Sequence, residues 1–321
     1  MTHEELKIRL EQLIDPTAGL KFKKTNGIET VTIEPNGVVV ITIFLNNKSK
    51  DEKAVKLAVT KLIKQELGFP GLRLEIKQTP IFLESKFRYI AIASGKGGVG
   101  KSTVAVKLAK ALTNLGHKTA IIDSDVYGAS IPLVFDVEKG VILGDEKGMM
   151  KPLEKDGIEV ISTTFFMPED KPLMWRAPLL KELLNHFYNS VVWDEKTEYI
   201  IIDLPPGTGD VAIDTKQYAP NHKVIIVTTP NKNASEIALK AGLGSYQLGQ
   251  ELIGVIENMS YYYNEATNNK EYLFGSGGGG YVANRLSVPL LGQIPIETTT
   301  NKDKINTEYL NIAKYIIKEW E

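Results

Sequence analysis

Cysteine is absent from this chain. Disulfides, thiol nucleophiles and thiolate metal ligands of its own are therefore excluded. Histidine is scarce: His3, His117, His186 and His222 are scattered, with none of the paired spacing a metal site uses, so each is read as structural or solvent-facing. No apolar run approaches the roughly 20 residues that span a bilayer. The opening stretch "MTHEELKIRLEQL" is charged and lacks the apolar centre of a signal peptide. These absences give the expectation of a cytoplasmic protein with no membrane partner. A charge of one dominant sign is missing too. With 38 basic and 39 acidic residues the net charge is −1, so only a local basic patch could attract nucleic acid.

What is present is the composition of an ordinary globular chain. It is 43% hydrophobic and 24% charged over 321 residues, enough for one large domain or two ordinary ones. Residues 1–78 read as a small unit. Thr2 and Glu5 form a capping box opening a helix through Leu13, with Leu6, Ile8, Leu10 and Leu13 as its apolar positions. "ETVTIEPNGVVVITIFL" is two β-rich runs around a turn, "DEKAVKLAVTKLIKQEL" is a helix with apolar residues at Val55, Leu57, Leu62 and Ile63, and "LRLEIK" is a strand. The order is α-β-β-α-β, an α+β pattern. "QTPIFLESKF" reads as a linker, placed at residues 79–87.

From residue 88 to residue 321 the texture changes. Short apolar runs ("YIAIA", "KTAIID", "YIIIDL", "KVIIVTT", "LIGVIE", "VPLLG") alternate with helical segments expected at 101–115, 178–190, 233–249, 278–286 and 306–320. Unbroken apolar strands fit a parallel sheet covered on both faces, and the alternation implies a doubly wound α/β domain. The single low-complexity spot is "GSGGGG" at 275–280.

The chemistry is announced by "YIAIASGKGGVGKSTVAVKLAKAL", which reads as strand, glycine loop and amphipathic helix. Gly95 to Ser102 matches G-x-x-x-x-G-K-[ST], the phosphate-binding loop, in the setting that motif requires. Gly95, Gly97, Gly98 and Gly100 let backbone N–H groups around Lys96 and Val99 turn toward phosphate oxygens. The helix starting near Lys101 adds its positive end. Lys101 is placed to reach the β- and γ-phosphates, Ser102 to ligate magnesium, and Thr103 to follow it into the helix. "IIDSDVYG" ends a strand with Asp123 and Asp125, and "IIIDLPPGTGD" ends another with Asp203. Carboxylates at strand carboxyl ends lie where α/β proteins bind ligands. Asp203 fits the Walker B role, holding magnesium through water. Asp123 is a further candidate ligand, and Asp125 a candidate to orient the attacking water in phosphoryl transfer from ATP. The alternative for either acid alone is a helix cap or a solvated loop.

One lysine remains unexplained, because Lys96 directly follows the first glycine. "GKGGVGKST" resembles the deviant Walker A loop of the MinD/Mrp class of P-loop ATPases. "DSDVYGASIP", "WRAPLL", "DLPPGTGDV", "VTTP", "ENMS" and "LGQIPIE" resemble the Mrp/ApbC family, in the right order. The resemblance covers residues 88–321 and, more weakly, the small unit before them. It implies an ATP-dependent homodimer in which Lys96 crosses to the nucleotide of the other subunit, as an arginine finger does. It also implies that Asn258 reads the adenine edge, with Pro295 and Ile296 nearby. Cluster-carrying members of that family have a C-x-x-C after "ENMSY"; here the place reads "YYYNEATNNKEYLFGSGGGG". No iron–sulfur cluster is therefore expected from this chain alone. Tyr261, Tyr262 and Tyr263 stand there instead, either as packing at a dimer contact or as a partner-binding or base-stacking surface.

A cysteine-free branch, resembling the SalA regulators of Gram-positive bacteria, implies a regulatory ATPase with a DNA or protein client. For DNA, "KFKK" at residues 21–24 offers a basic segment. The alternative is an assembly ATPase whose cluster ligands come from iron–sulfur partner proteins. A metabolic kinase or ligase is a third reading, without a substrate motif in the sequence.

Overall fold

The computed structural model describes residues 2–16, 20–25, 27–45, 48–78, 87–126, 128–138, 140, 142, 144, 149–166 and 177–320. The expected linker, apart from residue 87, lies outside them, as do the start of "WRAPLL" and the end of the "DPTAG" turn. The chain divides into two compact units, Met1–Leu83 and Glu84–Glu321.

In the first unit, helix α1 (His3–Leu10) carries the reciprocal cap: Glu5 N–H donates to Thr2 Oγ1 at 3.2 Å and Thr2 N–H to Glu5 Oε2 at 2.9 Å. The helix stops at Leu10 rather than Leu13. The Gln12 and Leu13 N–H groups fall back on Arg9 and Leu10, and the Leu13 carbonyl accepts from Phe22 instead. Strands β1 (Ile28–Ile33) and β2 (Val38–Leu45) form the antiparallel hairpin, with Gly37 at φ +81° in its turn. Helix α2 (Lys48–Thr60) widens into a π-helical stretch, Lys61–Glu66, before β3 (Gly71–Gln78) pairs parallel to β2. The sheet is thus mixed, with β2 central. The apolar residues of this helix do not all face inward. Leu57 is 74% exposed, while Val55, Val59, Leu62 and Ile63 are buried. Two residues along a helix turn the side chain about 200°, so Leu57 cannot share a face with Val55.

The second unit is built on eight strands: β4 (Arg88–Ser94), β5 (Thr119–Asp123), β6 (Leu153–Lys155), β7 (Ile158–Ser162), β8 (Tyr199–Asp203), β9 (Lys223–Thr228), β10 (Glu251–Glu257) and β11 (Leu290–Gln293). Their order is β11-β10-β9-β4-β8-β5-β7-β6, parallel except for the β6–β7 hairpin. Every residue of β5 and β8 is buried, which explains their unbroken apolar text. The helices are α3 (Lys101–Asn114), α4 (Ala177–Asn189), α5 (Asp210–Tyr218), α6 (Lys232–Gln247), α7 (Gly278–Leu286) and α8 (Lys302–Lys318). The sequence reading lacked the β6–β7 hairpin and α5. The hairpin turns at "DG", Asp156 and Gly157, both with positive φ. Helix α5 follows a proline–glycine stretch and carries few apolar residues, so its periodicity is weak.

Strand β4 lies between β8 and β9, so the chain departs to opposite sides of it. That divergence opens a crevice at the carboxyl ends. The register sets Asp203 beside Asp123 and Ile92 there. No helix of the described residues is long and apolar enough to cross a membrane.

The helix register in the first unit makes a direct test. Ile63→Ala should destabilise that unit by about 2–5 kcal/mol, while Leu57→Ala stays within about 0.5 kcal/mol. Urea unfolding of the two variants measures both.

Candidate functional site

The loop between β4 and α3 is shaped by close approach. A Cβ on Gly95 would sit 2.4 Å from the backbone carbon of Ile237, so α6 could not pack there. Gly100 has φ +82°, and a Cβ on it would meet Asn258 Nδ2 at 2.2 Å. Two side chains brace the loop from within. Ser94 Oγ donates to the Lys96 carbonyl at 3.1 Å, and Asn258 Nδ2 donates to the Val99 carbonyl at 2.9 Å. Helix α3 then begins at Lys101, its free N–H groups and positive end turned to the loop.

Behind the loop lies a compact polar cluster. Lys101, only 6% exposed, places Nζ 2.6 Å from Asp203 Oδ1 and 3.4 Å from Asp125 Oδ2. Ser102 Oγ donates to Asp203 Oδ2 at 2.5 Å and receives the Ser130 hydroxyl at 2.7 Å. Asp123 is fully buried. Its oxygens accept from the Asp125 and Ile131 N–H groups, each at 3.3 Å, and from Ser162 Oγ at 3.0 Å. Burial, and then the neighbouring charge of Asp203, push Asp123 up to about 8. Burial also raises Asp203, against the pull of Lys101 and Ser102. Two carboxylates side by side in a dry sheet edge repel, and the Lys101 ammonium and the hydrogen bonds from Ser102, Ser162 and the Ile131 N–H offset that in part.

A cavity of about 590 Å³ opens above this cluster. Its walls run from Lys96 to Thr103 and include Asp125, Ser130, Val134, Pro205 and Pro206. Lys96 is exposed at its rim. The sequence reading missed Ser130 and the two prolines as lining residues, although "DSDVYGASIP" and "DLPPGTGDV" contain them. Several expected site residues stand outside the wall. Asp123 and Asp203 lie beneath it. Asn258 commits its amide nitrogen to the loop. Pro295 is buried, and Ile296 donates its N–H to the Tyr261 carbonyl at 2.8 Å.

The four histidines sit apart. His117 pairs with Glu198, His186 with Ser190, His3 accepts from Ile33, and His222 is buried and depressed to about 4 by desolvation. Among the described residues no group of three or more His, Asp or Glu is arranged to hold a metal ion. Of the three tyrosines, Tyr261 is only 4% exposed, with its ring 6.3 Å from that of Tyr272 and under Lys270. Tyr262 and Tyr263 begin a hairpin paired with residues 269–271.

A glycine loop clamped at a helix start, with a buried lysine, serine and aspartate beneath, is a nucleotide-phosphate site, and the comparisons agree. A family model described as ParA: NUBPL iron-transfer P-loop NTPase matches residues 86–315. The chain belongs to that P-loop NTPase family. An iron–sulfur cluster carrier protein of Bacillus subtilis is 45% identical over 221 residues, covering 69% of this chain and 62% of the relative. One from Mycobacterium leprae is 34% identical over 317 residues, covering 90% of this chain and 82% of the relative. Among solved structures, a nucleotide-binding protein from Archaeoglobus fulgidus in complex with ADP aligns with TM-score 0.55 and 30% identity, over 70% of this chain and 88% of that one. The cell division ATPase MinD of Pyrococcus furiosus, 20% identical with TM-score 0.51 over 72% of this chain and 99% of its own, shares the fold. The Mrp/ApbC resemblance read from the motifs thus stands.

The NTPase's residues fit magnesium and a nucleotide. The cavity is large enough, and its floor offers a cation for phosphate and a hydroxyl–carboxylate pair for a hard metal. The residues do not fit an iron–sulfur cluster, since there is no thiolate and no described metal group to replace one.

The clamp between Asn258 and the loop sets up a double-mutant test. Gly100→Ala should weaken ADP binding more than about tenfold, since the new Cβ displaces the Asn258 amide and strains a left-handed position. In an Asn258→Ala background the added loss should shrink, because the clashing group is gone. Calorimetry across the four proteins checks it.

Proposed function

We propose that this protein is a magnesium-ATP-hydrolysing switch that dimerises on ATP and works in iron–sulfur cluster transfer, with cluster thiolates supplied by a partner. The observation that carries the nucleotide half is the buried Lys101–Asp203–Ser102 cluster under the glycine loop. The cluster half is supported by the printed names of the relatives. Lys101 would hold phosphate oxygens, and Ser102, with Asp203 behind it, would hold the magnesium ion. Bound magnesium-ATP supplies the scissile anhydride and a counter-charge for it. Asp125, on the cavity wall, orients the attacking water. Asp123 braces the 125–131 segment through its backbone bonds. By resemblance to the family, Asn258 would read the adenine edge, with Pro295 and Ile296 nearby. Lys96, exposed at the rim, reaches the nucleotide of a second copy.

A second reading is favoured by one observation, the absence of cysteine. A chain that cannot ligate a cluster could use the same switch to govern a regulatory protein or DNA client. Nucleotide-dependent, salt-sensitive DNA binding would support it.

Three measurements bear on these roles. Lys101→Ala should abolish ATP binding in calorimetry, because a desolvated phosphate loses its charged partner. Lys96→Ala should still bind ATP but hydrolyse it about 10³-fold or more slowly and dimerise poorly on ATP in light scattering. Anaerobic reconstitution of the protein alone should leave no visible cluster absorbance after gel filtration, whereas a cluster surviving that step would mean this chain provides ligands itself.

A further inference from the structure

Ser130 is a serine out of its usual employment. It precedes the short helical turn Ile131–Phe135 as the N-cap, yet its side chain makes no capping hydrogen bond. An N-cap serine ordinarily accepts from an N–H two or three residues on. Here Oγ turns the other way and donates to Ser102 Oγ at 2.7 Å. The backbone at this point is pinned: the Ile131 N–H is held by Asp123 Oδ2 at 3.3 Å, and the Ser130 carbonyl accepts from Val134 at 2.9 Å. Ser130 also lines the cavity, next to Asp125 and Gly128.

The hydrogen-bond inventory of Ser102 gives this contact its meaning. A serine hydroxyl has one proton and two lone pairs. The proton goes to Asp203 Oδ2 at 2.5 Å, and one lone pair takes the Ser130 proton. Both partners together fix the rotation of the Ser102 hydroxyl and leave one lone pair for a cation in the cavity. Asp123, which lies beneath the wall, contributes by pinning the residue after Ser130.

We propose that Ser130 is a positioning residue of the magnesium site, orienting the Ser102 hydroxyl so that its free lone pair faces the bound cation. This rests on the magnesium-ATP reading of the same site. Ser130 bonds the Ser102 hydroxyl, so its loss should change the response to metal more than the metal-free affinity.

The test titrates magnesium into the full-length protein holding a fluorescent ATP analogue and reads nucleotide binding rather than turnover. Wild type should bind the analogue more tightly as magnesium rises, with a defined half-saturation. Ser130→Ala should raise that half-saturation about tenfold, the worth of one hydrogen bond, while affinity in chelator stays within about twofold of wild type. Ser130→Thr, which keeps the hydroxyl, should restore the wild-type curve. Should Ser130→Ala fail to fold by circular dichroism, Ser130→Cys, nearly isosteric but a weak donor, carries the same expectation. An unchanged half-saturation in the folded variant overturns the proposal, as does an equal loss of affinity with and without magnesium. If wild type itself ignores magnesium, the magnesium-ATP reading falls as well. If wild type responds and Ser130→Ala matches it, only the role of Ser130 falls.

Discussion

A buried ammonium needs an anion, and this architecture supplies it from a neighbouring strand. Lys101 Nζ lies 2.6 Å from Asp203 Oδ1, with both side chains nearly removed from solvent. Removing one partner of such a pair leaves an uncompensated charge in a dry site, which costs about 3–5 kcal/mol. The rest of the site follows from that constraint. The ladder between β4 and β8 must set Asp203 just below the loop, the helix must begin at Lys101 so that its side chain points back, and Ser102 must share the same carboxylate.

Close backbone approach is the second theme. The "GSGGGG" run, which by composition alone resembles a flexible linker, is a packing device. A Cβ on Gly278 would sit 2.3 Å from Ser235 Oγ, and one on Gly279 would sit 2.5 Å from the Glu257 Cβ. Glu257 is fully buried at the end of β10, accepts from Ser260 Oγ at 2.5 Å and Gln293 Nε2 at 2.8 Å, and receives the Gly279 N–H at the start of α7. The residue after it, Asn258, clamps the phosphate loop. The glycine run, the tyrosine hairpin and the nucleotide loop are thus tied at one strand end.

Much of this was legible before any coordinates. The phosphate loop stood out because strand, glycines and helix are contiguous, and Asp123 and Asp203 because each closes an apolar run. The buried strands were readable for the same reason. What could not be read depends on distance along the chain or on rotation. The bond from Asn258 to Val99 joins residues far apart in sequence, and Ser130 became visible only once its hydroxyl was seen turned toward Ser102. Helix α5 escaped because its apolar positions are few. The "DG" turn of the β6–β7 hairpin was a signal available in the text and left unused.

The missing thiolates separate this chain's chemistry from the cargo named for its relatives, while the nucleotide site keeps the features a switch needs. A switch that completes its site with a second copy has a concentration-dependent rate. Specific ATPase activity measured over a wide range of protein concentration at saturating magnesium-ATP tests this most directly. The account predicts turnover per chain that climbs from near zero in dilute protein to a plateau as dimers form. A turnover per chain that stays constant on dilution, or no ATP hydrolysis at any concentration, would contradict it.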